Sequence, residues 1–389
     1  MRVLTVATDY PPNAFGGAGF YAAEITRELR ALGVHVDVLS TRPGVDRIHA
    51  DSSALKYPTS PAPGWDGVSV LTDNIALTAT LARIASHYDV VNFHDVYSAI
   101  APLAVRCANP KTAFILTKHT GPTGPDGTTT GTSGPIEDYM LGNLNDLEDW
   151  IFRSADGVIC VAEQMLDRAR TLYGDDVPAR HIICPPAVNQ GIFAGPDTPE
   201  WHWCSHDQRL LVPGRLSPRK GGDTVIEALT LVERDDTCIT FVGSGPHEQA
   251  LVDLAQRLGI QQRVHFLGKV TQQELAGLYS IATVVVAPSY VEAYGMVIGE
   301  ARVSGAALVA SDIPGHAEQM CDGVDGLMFS SEDSGDLARV LEKALATPDL
   351  IDSIASAGRS RAARHTWAKA ARSSLDFFES VARSKFSQA

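Results

Sequence analysis

"TVVVAPSYVEAYGMVIGEARVSG", residues 283–305, is the stretch on which the fold reading turns. "TVVVAPS" is a β-branched apolar run, too short for a helix and closed by a proline, so it reads as a buried strand. "YVEAYG" is a polar turn ending in Gly295, and "MVIGEARVSG" has helical spacing up to Gly305. A strand that passes through a turn into a helix is half of a βαβ crossover, the unit of parallel sheets covered on both faces. The stretch also sets Glu292 and Glu300 eight residues apart, around the turn and the helix start. Read alone, the pair is unremarkable: Glu300 on the wet face of an amphipathic helix and Glu292 in a surface loop.

The same alternation runs through the chain. "RVLTVAT" is a strand, followed by a helix over 17–32 with Tyr21, Ile25, Leu29 and Leu32 at helical spacing, then the strand "VHVDVLS". Strands follow at 89–93, 113–118 and 157–162, and the pattern restarts at "RLLVPGR", 209–215. It continues through "CITFVGSG", "VHFLG", "TVVVAPS", "AALVAS" and "GLMF". The expected architecture is α/β, with two doubly wound units in tandem: residues 1–187 and 207–365. Residues 188–206, rich in Gly, Pro and polar side chains, are the expected linker. Residues 366–389 form an amphipathic C-terminal helix expected to pack back toward the first unit. The Gly/Thr/Pro segment 120–136 is too long for a mere connection.

Bulk properties narrow the function. A chain of 389 residues exceeds one hydrophobic core, which agrees with two domains. A net charge of -14 argues against nucleic acid and, more weakly, against anionic lipid. The six cysteines lie scattered without zinc spacing, and several sit in apolar runs such as "GVICVA", which reads as buried free thiols in a reducing cytoplasm. "MRVLTVATDY" lacks the apolar core of a signal peptide, and no run approaches the length of a membrane span. The expectation is a cytoplasmic protein with no stable membrane anchoring; oligomeric state is left open.

Three segments carry candidate chemistry. Gly16, Gly17 and Gly19 lie between the first strand and its helix, where glycine lets backbone N–H groups approach an anion. The spacing is not GxGxxG, no acidic residue stands at the end of the second strand for a ribose, and tight packing of the turn is the competing account. Arg215 and Lys220, with Arg219 as a third cation, follow the first strand of the second unit, just ahead of a helix beginning near Asp223. Cations at the carboxyl end of a strand beside a helix N-terminus suit a pyrophosphate; a solvated basic turn is the alternative. Glu292 sits at the mouth of the second sheet, where the helix start offers free N–H groups over Ala293, Tyr294, Gly295, Met296 and Val297. Glu300, one turn in, points back toward the same mouth. Carboxylates flanking a phosphate-binding helix start fit a nucleotide sugar, whose hydroxyls they can accept from.

"GRLSPRKGGDTVIEA", "FVGSGP", "VHFLGKV" and the Glu-x7-Glu of "EAYGMVIGE", in this order, resemble the retaining GT-B glycosyltransferases of the GT4 family (glycosyl transferases group 1). "GGAG", "TKHTG" and "SADGVICVAEQM" are similar to that family's first domain, so the resemblance spans nearly the whole chain. It implies two Rossmann-like domains facing a central cleft, with a nucleoside-diphosphate sugar as co-substrate and no metal cofactor. Glu292 matches the glutamate on the donor hexose hydroxyls, Glu300 the one on the ribose, and Arg215 and Lys220 the basic pair on the diphosphate. Gly17 matches a backbone donor to the phosphates, His119 a histidine near the donor sugar, and Val270 a backbone contact to the base. Gly214 and Gly243 fall within the matching donor-side motifs. Three features depart from the family pattern: "CPPAVNQ" ahead of the linker, Tyr294 where phenylalanine is commoner, and Arg302 together with the missing proline of the following strand.

For the acceptor the candidates are His94, Asp95, Thr120 and Thr123. His94 reads equally as a structural histidine, and Asp95 as the cap of a helix starting near Tyr97. The acidic pairs 175–176 and 235–236 read as solvated turns. The expected activity is transfer of a hexosyl unit to a small acceptor. The rival readings are a sugar-nucleotide epimerase of the same fold, an NAD-dependent dehydrogenase and a non-catalytic sugar-binding module.

Overall fold

The computed structural model describes residues 1–7, 10–11, 17–40, 77–94, 101–119, 150–194 and 207–388. The candidates Gly16, Asp95, Thr120 and Thr123, and the segment 120–136, lie outside them. The chain divides into two units, one of Met1–Pro186 with Trp367–Ala389 and one of Ala187–Thr366.

The first unit holds a six-stranded parallel sheet. Its strands are β1 (Arg2–Ala7), β2 (His35–Ser40), β3 (Val90–His94), β4 (Ala113–Lys118), β5 (Gly157–Cys160) and β6 (His181–Ile183), in the order β2-β1-β3-β4-β5-β6. The order in which successive strands are added reverses between β1 and β3, and such switch points leave a crevice at the carboxyl ends of the strands. His94 closes β3 beside Thr117 of β4. The edge strand β6 gives almost no signal in the sequence, being three residues long and half-buried throughout. The helix Trp367–Gln388 belongs to this unit. Its Phe377 and Val381 press on Gly157 so closely that a Cβ there would meet the Phe377 ring at 2.8 Å. Lys385 pairs with Asp156 at 2.7 Å.

The second unit has β7 (Gln208–Pro213), β8 (Thr237–Val242), β9 (Val264–Phe266), β10 (Val284–Ala287), β11 (Ala307–Ser311) and β12 (Leu327–Phe329), ordered β12-β11-β10-β7-β8-β9. All described pairings are parallel. Successive side chains of a strand feed opposite faces, so Leu210 and Val212 enter one apolar layer and Leu211 the other. Val284 and Val286 likewise part from Val285 and Ala287. That explains why β10 reads as unbroken apolar sequence. Here the switch point lies between β7 and β10.

Two expectations change. Residues 188–194 are not free linker but part of the second unit. The Asn189 side chain accepts from Gly191 N–H to cap the short helix Gln190–Phe193, and Phe193 packs edge-on to Tyr279 at 5.9 Å. The cysteines are not uniformly buried thiols: Cys160 and Cys184 are buried and free, Cys107 and Cys321 are exposed, and Cys238 is disulfide-bonded. Among the described residues no helix is long and apolar enough to cross a membrane.

Candidate active site

The switch point of the second sheet brings two loops together. After β7 the chain turns at Gly214 (φ 134°), makes a single turn of 3-10 helix over Pro218–Lys220, and enters the helix Gly222–Leu231 through Gly221. Gly221 is left-handed (φ 64°), and a Cβ on it would stand 2.1 Å from the Pro288 carbonyl oxygen at the end of β10. Glycine is therefore what lets the basic turn lie against the β10 loop. Gly243 plays the same part beside Gly214, whose carbonyl oxygen would be 2.0 Å from an added Cβ.

This contact delivers Lys220 to Glu292, and the two form a partly buried ion pair. Ser289 donates a second hydrogen bond to the same carboxylate oxygen at 3.0 Å. Burial pushes the Glu292 carboxyl up, but the Lys220 charge, with the hydrogen bonds from Lys220 and Ser289, carries it below the usual carboxylate range. Glu292 is thus held ionised in a nearly closed setting.

The helix Met296–Ser304 begins at Gly295 (φ 89°), and no side chain caps it. Its first N–H groups are the donors an anion would use. Glu300, half-buried, accepts from the Tyr279 hydroxyl at 2.8 Å, and burial raises its carboxyl above the ordinary range. Arg302, a departure from the family pattern, anchors this helix from below. It pairs with buried Asp325 at 3.1 Å and donates to the Gln319 carbonyl at 2.8 Å. Gln319 in turn donates to the Tyr294 carbonyl, which fastens the loop.

Gly214, Arg215, Lys220, Glu292, Gly295 and Val297 line one small pocket open to solvent. Arg215 is exposed there. Ala293, Tyr294, Met296 and Glu300 adjoin it in sequence without lining it, and Val270 packs instead against the apolar layer of the second sheet. Sequence reasoning missed His316, which also lines the pocket. Its Nδ1 lies 3.1 Å from the Ser311 carbonyl oxygen, which can only accept. The proton is therefore on Nδ1, and Nε2 keeps a lone pair. That nitrogen would stand 3.1 Å from a Cβ on Gly295. Burial lowers the imidazole, partly against the charge of Glu292, so His316 is a neutral acceptor beneath the helix start. Only the strand-end position of "SDIPGHAE" hints at it in the sequence.

In the first unit, Gly17 opens the helix Gly17–Ala31 and is exposed, whereas Gly19 is buried. His94 and His119, taken above as separate candidates, stack at 5.2 Å with His94 Nδ1 3.0 Å from His119 Nε2. Tyr21 meets His119 edge-on at 4.9 Å and Trp367 at 5.5 Å. Burial drives both imidazoles down, His119 to about 3, and His94 is lowered further by its neighbour. His119 is 9% exposed, so it alone of the pair retains an edge to solvent.

Two family models match the chain: glycosyl transferases group 1 over residues 200–361 and glycosyltransferase family 4 over residues 15–190. A D-inositol 3-phosphate glycosyltransferase of Frankia alni is 30% identical, with 92% of this chain and 93% of that protein aligned. A glycogen synthase of Mycobacterium tuberculosis is 26% identical over 93% of this chain and 90% of its own. Among solved structures, sucrose-phosphate synthase from Thermosynechococcus elongatus superposes with a TM-score of 0.83 at 21% identity, covering 100% of both chains. HepE of Anabaena, in complex with UDP-glucose, gives 0.71 at 17% identity over 100% of both. With both family models matched in chain order and a relative aligned over nearly its full length, the chain belongs to the GT4-type glycosyltransferases, the glycosyl transferases group 1, and has the GT-B fold.

Proposed function

We propose that this glycosyltransferase moves a hexosyl unit from a nucleoside-diphosphate sugar to a hydroxyl of a small soluble acceptor, with retention of anomeric configuration. The observation that carries the reading is the Lys220–Glu292 pair beside the uncapped helix start at Gly295. A diphosphate needs cations and N–H donors, a sugar needs a fixed carboxylate, and here one pocket of the second unit holds all three. Arg215, Lys220 and the helix terminus stabilise the charge growing on the departing diphosphate. They occupy the place that a metal takes in other phosphate sites, and the reading includes no metal. Glu292 orients the hexose through its hydroxyls, and Glu300 takes the ribose. Residues of the first unit, His119 among them, serve the sugar and the acceptor. The step proposed is front-face displacement: the bond from C1 to the phosphate oxygen breaks, the bond from C1 to the acceptor oxygen forms on the same face, and the acceptor proton passes to the leaving phosphate. The UDP-glucose complex of the similarly folded HepE supports a nucleotide-sugar donor.

The test is a thermal-shift panel of UDP, GDP, ADP and TDP sugars on the wild type and on Lys220→Ala. A ligand that binds only the native state raises Tm by mass action. One nucleotide series is expected to stabilise the wild type and to lose its effect in the variant. No shift with any of the four refutes the donor assignment.

A further inference from the structure

The first unit contains a directed line of hydrogen bonds whose direction is set at its buried end. Asn92 and His94 stand two apart on β3, and Thr117 and His119 two apart at the end of β4, so all four share one sheet face. Thr117 Oγ1 donates to Asn92 Oδ1 at 2.8 Å, Asn92 Nδ2 lies 2.8 Å from His94 Nε2, and His94 Nδ1 lies 3.0 Å from His119 Nε2. Thr117 is wholly buried, Asn92 and His94 nearly so.

Each member leaves its neighbour one choice. Among the described residues the Thr117 hydroxyl has a single acceptor, Asn92 Oδ1, and a buried hydroxyl without an acceptor is costly. The Asn92 amide is therefore turned with its oxygen toward Thr117 and its NH2 toward His94. His94 Nε2 must then accept, which puts the His94 proton on Nδ1. His94 donates that proton to His119 Nε2, so the His119 proton is on Nδ1. No described residue accepts from that N–H. Turning Asn92 over would reverse every bond in the line and leave the Thr117 O–H proton without an acceptor among the described residues.

We propose that Thr117, Asn92 and His94 are positioning residues that lock His119 as a neutral hydrogen-bond donor through Nδ1, unable to serve as a base. Resting on the reading that His119 serves the bound sugar, the lock gives it the task of donating to a sugar or acceptor oxygen. It also leaves proton removal from the acceptor to the leaving phosphate. Tyr21, edge-on to His119 and backed by Trp367, keeps water from competing for the line.

The test is a long-range proton–nitrogen correlation spectrum of the full chain carrying 15N-labelled histidine, recorded near neutral pH without substrate. His119→Gln and His94→Gln variants assign the two rings. Both rings are expected neutral and protonated on Nδ1. Protonation of His119 on Nε2, or a cationic ring, overturns the proposal. Thr117→Val keeps the side-chain shape and removes the hydroxyl, so His119 should show both tautomers, while Thr117→Ser should restore Nδ1–H alone. A single unchanged tautomer in the Val variant overturns the role of the hydroxyl. The spectra require no donor, so the lock stands or falls separately from the assignment of the nucleotide sugar.

Discussion

Acidification is expected to destabilise this protein through the His94–His119 pair, by an amount the structure bounds. Both rings are neutral in the fold because burial lowers them, His119 to about 3. In the unfolded chain an imidazole titrates near 6.5. The folded value is the lower one, so the stabilising contribution is complete above the unfolded value and is lost as pH falls below it. At about pH 5.5, one unit below that value, each ring kept neutral withholds roughly 1.4 kcal/mol, and the pair roughly 3 kcal/mol. The assay is urea unfolding of the wild type and of His94→Gln/His119→Gln at about pH 7.5 and about pH 5.5. Carboxylates such as Glu292 and Asp336, which the fold holds below their usual range, lose stability in acid as well. They are common to both proteins and cancel in the difference. The variant is less stable at the higher pH because two buried rings and their hydrogen bonds are gone. Its deficit should shrink by about 3 kcal/mol at the lower pH, because it lacks the two imidazoles that take up protons on unfolding, while buried His316 is common to both proteins and cancels. Parallel stabilities of the two proteins across this range would refute the reasoning.

Four further outcomes are expected. Glu292→Ala and Lys220→Ala should each lower turnover at saturating donor by about 10²-fold, the scale of losing one preorganised charge-stabilising contact; near-wild-type rates in both would remove the pair from the site. An α-linked donor should give an α-linked product, read from the anomeric proton coupling, and a β product would contradict retention. Gly221→Ala forces a Cβ to 2.1 Å from the Pro288 carbonyl at a left-handed φ. It should cost about 2–4 kcal/mol in urea unfolding, and an unchanged midpoint would deny the close approach of the two loops. Replacing residues 124–133, outside the described residues, by a short Gly-Ser link should collapse acceptor KM or turnover while donor binding survives; unchanged acceptor kinetics would leave that segment a bystander.

Apart from one edge strand, the two parallel sheets and the turns that line the pocket of the second unit were legible in the sequence because each rests on local patterns. Buried parallel strands write themselves as runs such as "TVVVAPS", since both faces are covered. Helix starts carry glycines, and cations and glutamates stand directly after strands. The short edge strand at His181–Ile183 escaped because half-buried edge residues show no such run.

What the sequence by itself determined is therefore the order of elements and the identity of the residues at their carboxyl ends. Only the tertiary structure decided which of those ends meet. Lys220 and Glu292 pair across 72 positions because the switch point sets β10 beside β7, a strand order that no local pattern encodes. Likewise, "VNFH" and "LTKHT" each show a polar residue two before a histidine, but their union depends on β3 lying next to β4 in register. The protonation of His94, His119 and His316 lies still further from the sequence. A tautomer is chosen by whichever hydrogen-bond partner the packing brings to each ring nitrogen: for His316 the Ser311 carbonyl, and for the His94–His119 pair a line beginning at the Thr117 hydroxyl.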